Sequence, residues 1–452
     1  VRTEIGVEAM TQKSSPSGAG ASTTDGEQVE GAGSAAGWYG YDLWLLGGII
    51  VLAGFGLVMV YSASAVTSFS RHGSDLYLAQ RQAAYLGVGL VALWIGARLD
   101  YRIYERLAYP LLGASFIMLC AVLIPGLGTK VGGARRWFRI AGLSFQPAEM
   151  AKLVLAMYLS LSAAKKFDRI DRFYIGFLPH LIVSGAMVVL VLAQPDLGTA
   201  MLMMGLTLMV LFVAGTRLLY ILAAILAVAP VAWWAIVGTE WRMQRLLAFF
   251  EPEAHKVGAG YQVYESMVTL GSGGWLGLGL GQGRQKLFYL PEGHTDFILP
   301  VIGQELGFVG VAAVVLLVGL IVWRGARAAA RARDLFGTYL GFGITTLFAL
   351  QAFVNMGVVM ALLPTKGLTL PLVSFGGSSL VVSLFGLGIL LNISRRMPEP
   401  ARSPGWTKGR KPKTQELATF RKWAFSRSSS MPLGGGRWSP RKSVNNRRVR
   451  AR

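Results

Sequence analysis

Apolar residues fall in long runs broken by short polar segments, and ten of these runs approach the roughly 20 residues a helix needs to cross a bilayer. They lie at 43–61, 83–97, 107–124, 148–164, 173–193, 199–214, 218–237, 297–323, 335–363 and 372–393. The pattern predicts an all-α integral membrane protein of ten transmembrane helices with one long external loop, 238–295, between the seventh and eighth. Within that loop, 261–270 reads as a short amphipathic helix near the membrane interface.

An even number of crossings puts both termini on one side, and Lys and Arg in the short loops identify it as the cytoplasm. With the termini inside, the internal turns hold Arg98, Arg102 and Arg106, then Lys165, Lys166, Arg169 and Arg172, then Arg217, then Arg324, Arg327, Arg331 and Arg333. The short external turns hold Arg71, Arg81 and Lys366, with one exception: Lys130, Arg135, Arg136 and Arg139 crowd a single loop. A cationic cluster on the translocated face opposes the topology bias, and an anionic ligand is the natural reason to keep it there.

Composition sharpens this picture. The 452 residues are 53% hydrophobic and only 15% charged, against about 25% in soluble domains. Residues 1–40 form a Ser-, Gly- and acid-rich tail that reads as disordered and cytoplasmic, without the basic-then-apolar order of a cleaved signal. The membrane domain spans 41–396, and 397–452 form a second disordered cytoplasmic tail with 15 basic and 2 acidic residues. The net charge of +21 is concentrated there, so a juxtamembrane contact with anionic lipid explains it without nucleic acid. A single cysteine, Cys120, excludes an internal disulfide and a thiolate metal site.

Ionisable groups at span ends mark function by default. On the external half these are Glu149 and Lys152, Asp196, Asp296, Glu305 and Lys366. Glu149 and Lys152 are spaced to pair on one helix face. Asp296 opens the eighth span, where a helix dipole favours an ionised carboxylate; an N-cap is the plain alternative. His294, Glu292, Arg284 and Lys286 crowd the same edge. The glycine-rich 271–283 lacks the ending of a nucleotide loop and reads as a flexible or close-packed segment. His72, His180, His255 and His294 show no zinc spacing, and Ser378 and Ser379 read as packing or hydrogen-bonding groups at a helix start. A cationic loop, one carboxylate at a helix entrance and a lateral membrane setting suit a lipid-linked diphosphate.

Several motifs, in order, resemble the SEDS family of membrane glycosyltransferases, the FtsW, RodA and SpoVE group, over about residues 41–396. They are Val58-Met-Val-Tyr-Ser-Ala-Ser64, Gly133-Ala-Arg-Arg-Trp-Phe-Arg139, Ser144-Phe-Gln-Pro-Ala-Glu149 with Lys152, Gln194-Pro-Asp-Leu-Gly-Thr199, Arg284-Gln-Lys-Leu-Phe-Tyr-Leu-Pro-Glu292, His294-Thr-Asp-Phe297, Leu363-Pro-Thr-Lys-Gly-Leu-Thr-Leu-Pro371 and Ser374-Phe-Gly-Gly-Ser-Ser379. The 284–291 and 364–369 stretches look like the division branch. Gly293, Gln304 and Phe375 depart from the usual residues.

The resemblance implies a peptidoglycan glycosyltransferase that polymerises lipid II at the outer face of the cytoplasmic inner membrane, releasing undecaprenyl diphosphate with inversion, at the division septum. It implies a class B penicillin-binding protein transpeptidase and other divisome proteins as partners. Asp296 then matches the family's essential carboxylate, acting as general base or holding a divalent cation such as Mg or Mn. Arg135, Arg136, Arg139 and Lys152 are the expected diphosphate donors, and Arg284 and Lys286 the expected acceptor contacts. Glu149, His294, Lys366, Ser378 and Ser379 complete the expected substrate-binding set. A lipid II flippase and a scaffold recruiting the transpeptidase are the competing readings; a transporter would gather its polar groups at the midplane between repeated halves, and no repeat is evident.

Overall fold

The computed structural model describes residues 40–131, 133–140, 143–238, 240–251, 258, 260–283 and 293–395. Helices occupy all ten apolar stretches: α1 (Leu43–His72), α2 (Tyr77–Arg98), α3 (Arg102–Ala121), α4 (Pro147–Lys165), α5 (Leu178–Ala193), α6 (Leu197–Ala214), α7 (Leu218–Val237), α10 (Ile298–Ala330), α11 (Leu335–Val359) and α12 (Gly377–Ser394). Two further helices, α8 (Glu240–Phe250) and α9 (Tyr261–Ser272), lie between α7 and α10. Among the described residues, seven helices are long and apolar enough to cross a membrane: α1, α3, α5 with the turn before it, α6, α10, α11 and α12. The other three have local reasons to fall short. Helix α2 carries Gln80, Arg81, Gln82 and Arg98, and α4 carries Glu149, Lys152 and Lys165. In α7 the apolar stretch counted is the shorter Leu218–Pro230.

The purely helical expectation is corrected between α3 and α4, where β1 (Thr129–Val131), β2 (Ala134–Ile140) and β3 (Leu143–Phe145) form an antiparallel ribbon in the order β1-β2-β3. Aromatic and β-branched residues, Trp137, Phe138 and Ile140, sit among the arginines of β2, and glycines sit at both of its turns. That is strand and hairpin chemistry, obscured in the sequence by its charge. Thr129 pairs with Trp137 but Lys130 with Arg135, so Arg136 is an extra residue on β2. Such a bulge re-aims a side chain.

The bundle is held by close backbone approach and by buried polar ties. Helix α2 lies along α12; a Cβ on Gly388 would come within 2.3 Å of the Leu93 carbonyl oxygen, and one on Gly96 within 2.7 Å of that of Phe385. At the end bearing the predicted cytoplasmic turns, Arg324 pairs with Asp42 at 2.7 Å and Asn392 Nδ2 donates to the Ala97 carbonyl at 2.7 Å. Helix α10 breaks at Gly307 (φ 66°, ψ −164°). The glycine-rich segment docks there: Leu278 N donates to Gln304 O at 2.9 Å, Gly279 N to Glu305 O at 2.9 Å and Phe308 N to Gly274 O at 2.9 Å. The segment is therefore close-packed rather than loose, and irregular backbone beside a spanning helix is tolerated only when so paired. Helix α9 also departs from a purely interfacial placement, burying Val263, Ser266 and Thr269 against the bundle, with Ser266 Oγ donating to Val359 O at 2.9 Å.

The α2–α12 seam makes a test. Gly388→Val should destabilise the protein by about 1–3 kcal/mol, the cost of overpacking, because backbone rather than a flexible side chain blocks the new carbons. Gly113→Ala, which would meet nothing within 4 Å, should leave thermal unfolding in detergent unchanged.

Candidate functional site

Four segments distant in sequence wall one cavity of about 540 Å³: Gly133, Ala134 and Arg136 of the ribbon, 195–198 at the α6 entrance, Arg245 and Leu246 of α8, and 364–367 between α11 and α12. Arg136 fastens the first two. Its Nε donates to the Gln194 carbonyl at 2.8 Å and its Nη2 to the Pro195 carbonyl, so the bulged residue ties the cationic ribbon to the turn before α6.

Two carboxylates stand here in different roles. Asp196 is the N-cap of α6, accepting from Thr199 N and Thr199 Oγ1, both at 3.0 Å, and from Gln146 Nε2 at 3.4 Å. Asp296 is not a cap: α10 begins at Ile298 with Phe297 as its N-cap residue and no side-chain cap bond. The plain structural role weighed for Asp296 thus belongs to Asp196. Asp296 is half-buried, and its carboxylate abuts the cavity wall, since a Cβ on Gly367 would lie 3.2 Å from its Oδ2. Asn355 on α11 holds the two strands of chain together, donating Nδ2 to Asp296 O at 2.8 Å and to Leu368 O at 2.6 Å.

Arg245 is the residue that sequence reasoning missed. It lies on a short amphipathic helix among many external arginines, and only its position on the cavity wall distinguishes it. Burial pushes its guanidinium below the usual arginine range, the charge of Asp296 partly offsets that shift, and Arg136 adds to it. Arg245 therefore feels both the carboxylate and the ribbon arginine, and it shares the cavity wall with Arg136. Lys366 lines the same cavity, and so does Thr365, whose buried Oγ1 has no hydrogen-bond partner among the described residues.

The other expected residues lie elsewhere. Arg135 reaches the Leu123 carbonyl at 3.5 Å, at the end of α3. Arg139 is exposed, pairs in register with Ser144 and is not among the residues lining the cavity. Lys152 is 1% exposed and bonds Glu149 Oε1 and Gln351 Oε1, both at 2.9 Å, within the bundle. Gln351 passes this network to Ser379 Oγ at 3.3 Å, while Ser378 Oγ donates to Ser144 O at 2.9 Å and accepts from Gln146 N at 3.0 Å. These serines brace the start of α12 and the ribbon. The His294 carbonyl accepts from Phe375 N at 2.9 Å, with the two rings 5.8 Å apart. Arg284 and Lys286 lie outside the described residues, as do Glu292 and His255. Among the described residues no three metal-ligating side chains gather.

Residues 43–399 match the family model for FtsW, RodA and SpoVE, described as a cell cycle protein. The chain belongs to this family. It is 48% identical over 354 residues to the probable peptidoglycan glycosyltransferase FtsW of Trichlorobacter lovleyi, covering 78% of this chain and 93% of that protein. It is 37% identical to the stage V sporulation protein E of Bacillus subtilis, covering 78% and 97%. Among solved structures it resembles a chain from a study of polymerisation and crosslinking by a peptidoglycan synthase complex (TM-score 0.67, 31% identity, 79% and 98% covered). It also resembles the rod shape determining protein RodA of Thermus thermophilus (TM-score 0.59, 32% identity, 79% and 97% covered). The family match takes in every wall of the cavity.

Two outcomes follow from this geometry. Arg245→Ala should fold normally and lower turnover by about 10²–10³, the scale of losing one donor to a developing charge, measured as product formed per enzyme. Lys152→Met should instead act on stability, by about 3–5 kcal/mol, because it strands a buried carboxylate. The double variant Glu149→Gln/Lys152→Met should recover much of that loss in thermal unfolding.

Proposed function

We propose that the protein is a peptidoglycan glycosyltransferase of cell division, polymerising lipid II into glycan strands at the outer face of the cytoplasmic membrane. The observation that carries this reading is the cavity lined by Arg136, Arg245 and Lys366, with the carboxylate of the half-buried Asp296 against its Gly367 wall, in a chain of this family. The higher identity to FtsW proteins than to the sporulation and rod-shape relatives supports the division role. In this reading the chain crosses the bilayer ten times with both tails in the cytoplasm, and α8, α9 and the ribbon lie on the external side. A class B penicillin-binding protein and other divisome proteins are its partners at the septum.

The reaction is a single displacement. The 4-hydroxyl oxygen of the acceptor's GlcNAc bonds to the anomeric carbon of the donor's MurNAc, the bond from that carbon to the diphosphate oxygen breaks, and the electron pair leaves on undecaprenyl diphosphate. The configuration inverts, and the hydroxyl proton passes to Asp296 as general base. Negative charge grows on the leaving diphosphate, so Arg136, Arg245 and Lys366 bind the transition state more tightly than the ground state. Asn355 and the side-chain-free Gly367 keep the Asp296 carboxylate at the cavity edge.

The donor set fits a divalent ion only in one form. A magnesium-type ion takes one or two carboxylates with substrate phosphates and keeps several waters. Asp296, at the edge of the cavity whose wall holds the Thr365 hydroxyl, without a hydrogen-bond partner among the described residues, would supply that carboxylate, whereas Asp196 is committed to capping α6. Such an ion, when bound, neutralises diphosphate charge as a Lewis acid.

Asp296→Asn should keep wild-type thermal stability and lower polymerisation by about 10²–10⁴, the usual contribution of a positioned base. The measurement is glycan strand formation from lipid II by the purified variant with a cognate transpeptidase partner and a divalent ion. Strands made at the wild-type rate would rule out this role for Asp296.

A further inference from the structure

A second recess, of about 240 Å³, has a wall that includes Ala84 and Val88 of α2, Phe145 of β3, Val381 and Val382 of α12, and Arg81. Ala84 and Val88 are exposed, so the recess opens sideways between α2 and α12, where lipid surrounds the bundle. It is a built feature. The Tyr85 ring packs on Gly377, where a Cβ would come within 2.5 Å of it. The Tyr85 hydroxyl accepts from Ser144 N at 3.3 Å, and Ser378 holds Ser144 O at 2.9 Å. An apolar trough with a guanidinium at its rim matches one chemistry: an anionic head on a long hydrocarbon chain.

The ribbon brings a second cation near the recess. Arg139 is exposed and pairs in register with Ser144, which lines the recess. Arg136, three residues earlier, lines the cavity. Gln146, adjacent to Phe145, donates to Asp196 on the cavity wall at 3.4 Å, so the end of β3 runs between the two spaces.

We propose that this recess holds the polyprenyl chain of the acceptor substrate, with the acceptor's diphosphate against Arg81 and Arg139, while the donor's diphosphate occupies the cavity at Arg136, Arg245 and Lys366. The inference rests on the glycosyl-transfer reading and adds to it a second lipid site. In that transfer both substrates carry a polyprenyl diphosphate, but only the donor's departs. The acceptor's persists, separated from the reacting hydroxyl by its sugars. It must be held apart from the leaving group, since two diphosphates in one cavity repel each other. Cations set at two separate spaces, Arg81 at the recess and Arg136, Arg245 and Lys366 at the cavity, achieve that separation.

The test uses the full-length protein with its transpeptidase partner in phosphatidylglycerol-containing nanodiscs. A benzophenone amino acid placed at Ala84 should label with lipid II, saturably, and undecaprenyl diphosphate should compete; charge reversal in Arg81→Glu/Arg139→Glu should cut the labelling about tenfold. Labelling of phosphatidylglycerol in place of lipid II, or no labelling, would overturn the proposal. In a second arm, lipid II blocked at its GlcNAc 4-hydroxyl serves as donor, with lipid-linked acceptors of long or short prenyl chain. Wild type should favour the long chain, and Ala84→Trp, which fills the recess, should raise the long-chain acceptor KM about tenfold with kcat retained. An unchanged KM in a thermally stable Ala84→Trp protein refutes the recess alone, whereas absence of strand formation by wild type refutes the glycosyl-transfer reading itself.

Discussion

The arrangement of this molecule depends on Arg136 gripping the carbonyls of Gln194 and Pro195. A strongly cationic ribbon has no reason to stay against an apolar bundle unless its charge is met by fixed polar groups, and backbone carbonyls beside a helix entrance are such groups. The grip sets the ribbon as a wall of the cavity and brings Arg136 within the field of Arg245 and Asp296. It also fixes the far side of the ribbon, where β3 meets α2 and α12 through Ser144 and Ser378. A charge-assisted bond to a carbonyl contributes roughly 1.5–3 kcal/mol, a modest energy that decides the placement of the ribbon and of the two spaces beside it.

The helical frame was legible because bilayer thickness imposes a length and an apolar composition that no other constraint mimics. Asp296 was legible for a related reason: a carboxylate at a span entrance is costly enough to stand out. What stayed hidden has physical causes too. The ribbon reads as a charged loop because adjacent arginines followed by adjacent aromatics, Arg135-Arg136-Trp137-Phe138, break the period of two by which a strand is recognised, and the bulge at Arg136 accounts for the break. Arg245 carries no local signal, because one arginine on an amphipathic helix resembles any other until the chain returns Asp296 beside it. Lys152 misled in the opposite sense: its charge near a span end suggested a ligand contact, yet Gln351 and Glu149 satisfy it within the bundle.

The contrast between the two aspartates shows why position along a helix outweighs residue type. Asp196 spends both oxygens on the first turn of α6 and on Gln146, so a proton or ligand there would cost helix stability. Asp296 sits one position further from its helix than a cap, its backbone carbonyl held by Asn355, and no side-chain cap bond closes the start of α10.

Charge balance in the cavity favours the end of the reaction over its beginning. Among the described residues, Arg136, Arg245 and Lys366 line the cavity with Asp296 at its edge, while the Asp196 carboxylate is compensated by the amides of the helix it caps. Partly buried positive charges repel one another, and beside burial, the larger effect, Arg136 weakens the hold of Arg245 on its proton. In the proposed transfer, a diphosphate diester relieves part of that repulsion. When its sugar–oxygen bond breaks it gains a further negative charge at the same place, and the relief increases. The strain among the cations therefore acts selectively on the state in which the leaving group departs, with no need for the cavity to change shape as it does so.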